Sequence, residues 1–452
     1  MKKKHRVLKI LAGVFVAMIV MVVGYTLISG WLDSLPTLDY DNNTVQTSPA
    51  VYPDVEFAVI SDLHVYNTTL GTTGSAFEEV MHSDRKLLLD STDLLDYAID
   101  DILQSNAQFV LISGDLTKDG EKVCHELVVK ELSRFTDAGV KVFVVPGNHD
   151  INNPDAESYD GDETEPVDNI TADEFAFLYA DFGFKDAIER DSYSLSYVAE
   201  PVDGLWILAI DSCRYEENVP GQSEIVGGNV SQLTADWIAE VLSRAVEEGK
   251  AVIALMHHGV VEHWEGQHKL HPDYLIEDYE HFGSFLASYD VRVVFTGHYH
   301  AQDITEGTFG EKFIYDIETG SLVTAPCPIR YCSIKNNSFY VESTTIVDKI
   351  HPGTSFASES MAFVKTTVVL EAQKTLANYF VSGTDADIIS NAVGDAFNAH
   401  YSGDEDPSLR PPLDSGELSP WGKFILFMQQ YVLDGLWVDL YPADNDVSFA
   451  LS

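Results

Sequence analysis

The 452-residue sequence predicts an α/β fold followed by a smaller C-terminal helical domain. Two observations predict it. Between residues 55 and 342, short apolar runs of strand length alternate with segments of helical periodicity, and each run halts at a polar turn. After residue 342 the long segments read as helices, separated by a loop rich in Pro, Asp and Ser at residues 404–419. The chain is longer than one average domain, and its 45% hydrophobic content is ample for a large core.

In chain order, Met1 to Arg6 is a basic leader, and residues 8–28 are apolar with only Lys9 charged. That run is long enough to span a bilayer, so residues 1–30 are expected to be a membrane anchor or signal segment. The basic flank would stay inside and the rest of the chain extracytoplasmic; cleavage as a signal peptide, giving a secreted form, is the alternative. Residues 31–54, rich in Asp, Asn, Thr, Ser and Pro, read as a linker.

Structure begins at Val55. Residues 56–60 form a strand-like run ending in Ser61-Asp62-Leu63-His64. A helix is expected over 87–103, a strand over 108–112 ending in Ser113-Gly114-Asp115, a helix over 121–138 and a strand over 141–145 ending in Pro146-Gly147-Asn148-His149-Asp150. The acidic stretch 152–168 reads as a surface loop. Further runs over 204–210, 251–256 and 291–295 end at Asp211, at His257-His258 and at Thr296-Gly297-His298-Tyr299-His300. Several short strands are expected over 313–340, and helices over 358–380, 386–400 and 421–440. The candidate ligands thus sit just past the carboxyl ends of apolar strands, where α/β sheets bind ligands and where distant turns converge.

Asp62, His64, Asp115, Asn148, His257, His298 and His300 make a mixed oxygen and nitrogen donor set suited to Mn, Fe or Zn. Seven ligands exceed the needs of one ion and suit two divalent ions about 3.5–4 Å apart sharing a carboxylate. Two such ions against Asp62 and Asp115 leave a positive balance that holds a phosphate. The chain as a whole carries 72 acidic and 27 basic residues, a formal charge of -45, so long nucleic acid is excluded as a partner. A small phosphorylated substrate is not, because bound cations dominate the local field and the distant surface is screened over about 8 Å.

These turns, Asp62-Leu63-His64, Gly114-Asp115, Gly147-Asn148-His149-Asp150, the strand ending in His257, and Gly297-His298-Tyr299-His300, resemble the five ordered motifs of the calcineurin-like metallophosphoesterases. The resemblance covers residues 55–342 and implies a four-layer α/β/β/α sandwich, with the helical domain at 343–452. Ser113 to Glu121 is similar to the class III cyclic-nucleotide phosphodiesterases and their secreted bacterial relatives. By that resemblance, Asp62, His64 and His300 hold one ion, Asp115 bridges, and Asn148, His257 and His298 hold the other. His149 assists the leaving oxygen, Asp150 orients His149, and a water acidified by both ions attacks. The implied activity is phosphodiester hydrolysis, with cyclic nucleotides favoured. Phosphomonoesters, or lipid or cell-wall phosphodiesters, are the alternative, and a non-catalytic surface protein with a structural metal site is a remote one.

Other features are expected to be structural. The segment 262–271, with three His and Trp264, reads as a loop whose Trp packs on the domain, and Cys124 and His125 as core and surface residues. Cys327 and Cys332 either bridge or stay as free thiols.

Overall fold

The computed structural model describes Leu38 and residues 50–451. All described residues except Leu38 belong to one compact unit within residues 40–452. The expected membrane segment at residues 8–28 lies outside the described residues. Among the described residues no helix is long and apolar enough to cross a membrane.

The first half of the folded chain contains β1 (Val55–Ile60), α1 (Ser75–Ser83), α2 (Ser91–Leu103), β2 (Phe109–Ile112), α3 (Lys122–Asp137), β3 (Lys141–Val144), β4 (Glu157–Asp160), β5 (Glu163–Pro166) and α4 (Ala172–Leu178). It continues with β6 (Ala187–Arg190), β7 (Tyr197–Val202), β8 (Leu205–Ala209), α5 (Gln232–Glu248), β9 (Ala251–Leu255), α6 (Gln267–Leu270), α7 (Tyr279–Ser288) and β10 (Val293–Thr296). Then come β11 (Asp303–Phe309), β12 (Lys312–Glu318), β13 (Pro328–Lys335), β14 (Ser338–Thr345), α8 (Phe356–Asn378), α9 (Thr384–Ser402), α10 (Pro420–Gly435) and β15 (Asp446–Ala450).

Two sheets result, one ordered β15-β14-β13-β1-β2-β3 and the other β11-β12-β10-β9-β8-β7-β6. The central strands read as unbroken apolar runs because both of their faces are covered. In β8, Leu205, Ile207 and Ala209 join the large core that spans both sheets, whereas Trp206 and Leu208 face outward. Strand β9 divides likewise, with Ile253 and Leu255 in the large core and Val252 and Ala254 outside it. Those outward residues pack on Ile238 and Leu242 of α5 and on Phe282 and Phe285 of α7. On the first sheet, Leu95 and Ile99 of α2 and Leu132 and Phe135 of α3 join the core with Phe109 and Val142. Between the sheets, the Phe57 ring meets Phe295 edge-on at 5.8 Å. The order of layers is the expected α/β/β/α.

The C-terminal helical region is present as α8, α9 and α10. Val364, Phe397, Leu433 and Trp437 from this region join the same core as the sheets. Strand β15 was not foreseen: its alternating Val447 and Phe449 are separated by polar residues and too short to stand out from a loop. It pairs antiparallel with β14 over Ser338–Glu342, and Phe449 stacks on Tyr315 at 3.8 Å and on Phe339 at 5.3 Å.

Two further expectations are corrected, and one that was open is settled. The acidic stretch 152–168 is not a bare loop but forms the hairpin β4–β5, because Tyr159 buries its ring against Phe77 at 5.4 Å and Tyr66 at 6.4 Å. His125 is buried, not on the surface, with Nε2 2.8 Å from the Asp150 carbonyl and Nδ1 2.8 Å from the Tyr179 hydroxyl. Cys327 and Cys332 are free and buried, as are Cys124 and Cys213.

Replacing Phe449 by Ala removes a ring stacked on two others and should destabilise the protein by about 3 kcal/mol, read as a lower denaturation midpoint with an unchanged slope.

Candidate metal centre

Strands β1, β2 and β3 run parallel in one sheet and β8, β9 and β10 run parallel in the other. The turns at their carboxyl ends meet across the seam between the sheets. Backbone bonds fix the meeting: Asp62 N–H donates to the Gly114 carbonyl (3.1 Å), His64 N–H to that of Asp115 (2.9 Å), and Gly297 N–H to that of His257 (3.0 Å). Across the seam, His298 N–H donates to both carboxylate oxygens of Asp62 at 3.1 Å.

Asp62, His64, Asp115, His298 and His300 all hold left-handed backbone, with φ of 49°, 37°, 49°, 75° and 67°. Non-glycine residues avoid this region, at about 1 kcal/mol or more each, and their clustering here marks a site whose surroundings over-determine it. Glycine is required beside them. A Cβ on Gly147 would lie 2.0 Å from Asp115 Oδ1, and one on Gly297 would lie 2.4 Å from Asp62 Oδ2.

The side chains form two groups. Asp62, His64, Asp115 and His300 each bring a donor atom within 4.8 Å of the others, and so do Asp115, His257 and His298. Asp115 belongs to both, with Oδ2 3.4 Å from His64 Nε2 and Oδ1 3.5 Å from His257 Nε2. Asn148 Oδ1 joins the second group, 3.1 Å from His257 Nε2.

The imidazole tautomers test whether cations fit. His64 Nδ1 faces the Thr117 carbonyl at 3.3 Å and His257 Nδ1 faces that of Ser113 at 2.7 Å, so each carries its proton on Nδ1. Nε2 of each is therefore the atom turned toward carboxylate or amide oxygen. Burial opposes charge on His257, yet Asp115 raises its pKa to about 9. The oxygens of this pocket thus draw positive charge to that nitrogen, which a divalent cation can supply in place of a proton, and the donor set fits metal in both groups. Burial, followed by Lys86, holds the His64 imidazole well below its ordinary pKa; burial, followed by His258 and His257, does the same for His298. Both are thereby neutral, the form that binds metal.

Two expectations are resolved by this geometry. Of the adjacent pair, His257 turns inward, whereas both nitrogens of His258 are engaged elsewhere, with Ser212 Oγ (2.8 Å) and the Val226 carbonyl (2.9 Å). Asp150 does not touch His149. It accepts from the Gly147, Leu116 and Thr117 N–H groups (2.9, 3.1 and 3.0 Å) and from the Thr117 hydroxyl (2.9 Å), tying the third turn to the second. The carboxylate beside His149 is Asp119, 2.9 Å from Nδ1, while His149 Nε2 lies 3.9 Å from Asp115 Oδ2. Burial and Lys86 oppose charge on His149, yet Asp115 and Asp119 outweigh them and raise its pKa to about 9.

Arg85 and Lys86 line the same crevice, with Glu224 and Tyr274, and were not identified from sequence. Both cations precede α2 in a segment without a recognisable motif. Asp119 carried a signal, since it lies within the Ser113 to Glu121 segment that set the resemblance.

Two ligand groups hinged on one carboxylate, with a charged imidazole alongside, define a dinuclear hydrolytic centre. A sequence-family model, calcineurin-like phosphoesterase, matches residues 55–302, more than half of the chain. The chain belongs to the calcineurin-like phosphoesterase family and is a metal-dependent phosphoric ester hydrolase. Among solved structures it is similar to a dimetal phosphatase from Danio rerio, at 15% identity and a TM-score of 0.46 over 66% of this chain and 97% of that one. It is also similar to a purple acid phosphatase from yellow lupin (Lupinus luteus) seeds, at 12% identity and a TM-score of 0.41 over 68% of this chain and 53% of that one. The sulfate thiohydrolase SoxB of Thermus thermophilus matches at 13% identity and a TM-score of 0.36, over 71% of this chain and 61% of that one. No curated protein matches the sequence.

Replacing Gly297 by Ala should displace Asp62 and lower both metal content and turnover at least tenfold, with the circular dichroism spectrum retained; unchanged metal content would contradict the close approach.

Proposed function

We propose that the protein is a dimetal phosphodiesterase acting on small phosphodiesters, with cyclic nucleotides the favoured class. The observation that carries this reading is Asp115, whose two carboxylate oxygens serve two ligand groups while His149 stands beside both. Asp62, His64 and His300 would hold one divalent ion and Asn148, His257 and His298 the other, with Asp115 reaching both groups; Mn, Fe or Zn suits these donors. When bound, the ions supply Lewis acidity and a nucleophile at neutral pH.

The chain's own side chains do the rest. Arg85 and Lys86 bring positive charge to the crevice and orient the phosphate. His149, held by Asp119, is charged and positioned to give its Nε2 proton to the departing alkoxide. The departing ester oxygen carries no proton of its own and needs that donor. Tyr274 in the crevice wall offers an aromatic surface to a base. Asp119 also belongs to the segment that resembles the cyclic-nucleotide enzymes.

The apolar run at residues 8–28 supports placement at the cell membrane with the catalytic unit extracytoplasmic, or secretion after cleavage.

With Mn, the full chain should hydrolyse an aryl phosphodiester and cyclic nucleotides faster than phosphomonoesters. Asn148→Ala and His149→Ala should each reduce kcat by roughly 10²–10⁴-fold. Asp119→Asn should reduce it less and, by lowering the His149 pKa, move the alkaline limb of the pH profile to lower pH. Turnover unaffected by the Asn148 and His149 changes would overturn the mechanism, and preference for monoesters would replace the substrate class.

A further inference from the structure

A second cluster of buried ionisable side chains lies where the C-terminal helices meet the second sheet, apart from the ligand groups described above. Asp303 opens β11, His400 sits in the last turn of α9, and Glu405 follows in the next loop; all three are buried. One donor atom from each lies within 4.8 Å of the others. His400 Nδ1 is 2.5 Å from Glu405 Oε1 and 3.7 Å from Asp303 Oδ2.

The remaining atoms are what make the cluster more than an acidic patch. Glu405 Oε2 and His400 Nε2 are buried without a hydrogen-bond partner, and Asp439 Oδ1 nearby is in the same condition. A buried carboxylate oxygen left bare costs several times what an ordinary hydrogen bond contributes, so such atoms mark a missing counter-charge.

Protein cations provide it only in part: the His263 imidazole, which Asp303, Asp316 and Glu318 hold charged against its burial, reaches Asp303 but not Glu405. The Arg330 guanidinium is buried close by, but it donates to the carbonyls of Asp303 (3.2 Å), Glu318 (2.6 Å) and Asp444 (2.5 Å) and to the Ser343 hydroxyl (3.3 Å), not to a carboxylate of the cluster. His263 donates to the other oxygen of Asp303, Oδ1, at 2.6 Å and faces Asp316 and Glu318 behind it. On the far side, Asp404, Asp439 and Asp444 form a further group with oxygens within 4.8 Å. Burial, then Glu405 and Asp303, pushes the Asp439 carboxyl up to about 7, and burial, then Asp303 and Glu405, raises that of Asp444. Negative charge is in excess here.

We propose that Asp303, His400 and Glu405 bind a third divalent cation, of the Zn or Mn type. Two carboxylates and an imidazole are donors for a borderline metal, whereas calcium would favour oxygen alone. The ion engages Glu405 Oε2, balances the surrounding carboxylates, and clasps β11, α9 and the loop after it. Asp303 follows His300, the last ligand of the dinuclear centre, by three residues in the chain. It does not depend on the reaction assigned to the dinuclear centre.

The test is metal content, measured by mass spectrometry on full-length protein loaded with Zn or Mn and desalted. Wild type should retain three ions per chain, and Glu405→Gln and His400→Gln two each. Both variants should turn over an aryl phosphodiester within about twofold of wild type, which establishes that they are folded. In EDTA the melting temperatures of wild type and Glu405→Gln should agree more closely than in Zn, where wild type gains an additional 2–4 °C, roughly. The double variant Asp115→Asn, His257→Gln, which keeps the cluster intact, should still retain one ion. Equal metal content in wild type and Glu405→Gln, or none in the double variant, overturns the proposal.

Discussion

Asp115 has to reach two groups of ligands at once, and the path of the backbone around it follows from that requirement. Its own left-handed conformation turns the carboxylate across the seam, and Gly147 must lack a side chain because any Cβ there would collide with it. The same holds at Gly297 against Asp62. Five left-handed non-glycine residues, at about 1 kcal/mol or more each, are comparable with the lower end of a folded domain's net stability. Such turns persist only between rigid supports. The two sheets supply them, buried on both faces and joined by contacts such as Phe57 on Phe295. Carboxylate and imidazole donors crowded at the centre are a further cost, which bound cations would offset.

The local charge pattern explains how a chain of formal charge -45 handles an anion. Arg85, Lys86 and His149 gather at one crevice, each next to carboxylates that keep it charged: Asp84 beside Lys86 at 3.2 Å, Glu371 beside Arg85 at 3.0 Å, and Asp119 beside His149 at 2.9 Å. Within the screening distance these cations, together with divalent ions in the two ligand groups, would offset the nearby carboxylates. Net charge therefore speaks to long partners and not to the site.

Much of the ligand set was legible because each member follows a strand whose apolar run ends abruptly, and because glycines mark the turns. The division of His257 from His258 also follows from strand alternation, since neighbouring side chains leave a strand on opposite sides. Three things were not legible. The partner of His149 comes from Asp119 because Asp150 is consumed by backbone N–H groups, and hydrogen-bond accounting of that kind needs coordinates. Arg85 and Lys86 reach the crevice from a connecting segment without periodicity or motif. Strand β15 has too few residues and too weak an alternation to announce itself, and its pairing with β14 is a contact between segments about a hundred residues apart.

That last strand carries a consequence for biogenesis. Until residues 446–450 have been synthesised, β14 is an open edge with unsatisfied N–H and carbonyl groups, and Phe339 and Tyr315 lack the ring that covers them. The first sheet, though its other strands emerge much earlier, is completed last. A nascent chain stalled after α10 would expose a template for intermolecular pairing, so loss of residues 446–450 is a route to aggregation and not merely to a smaller enzyme.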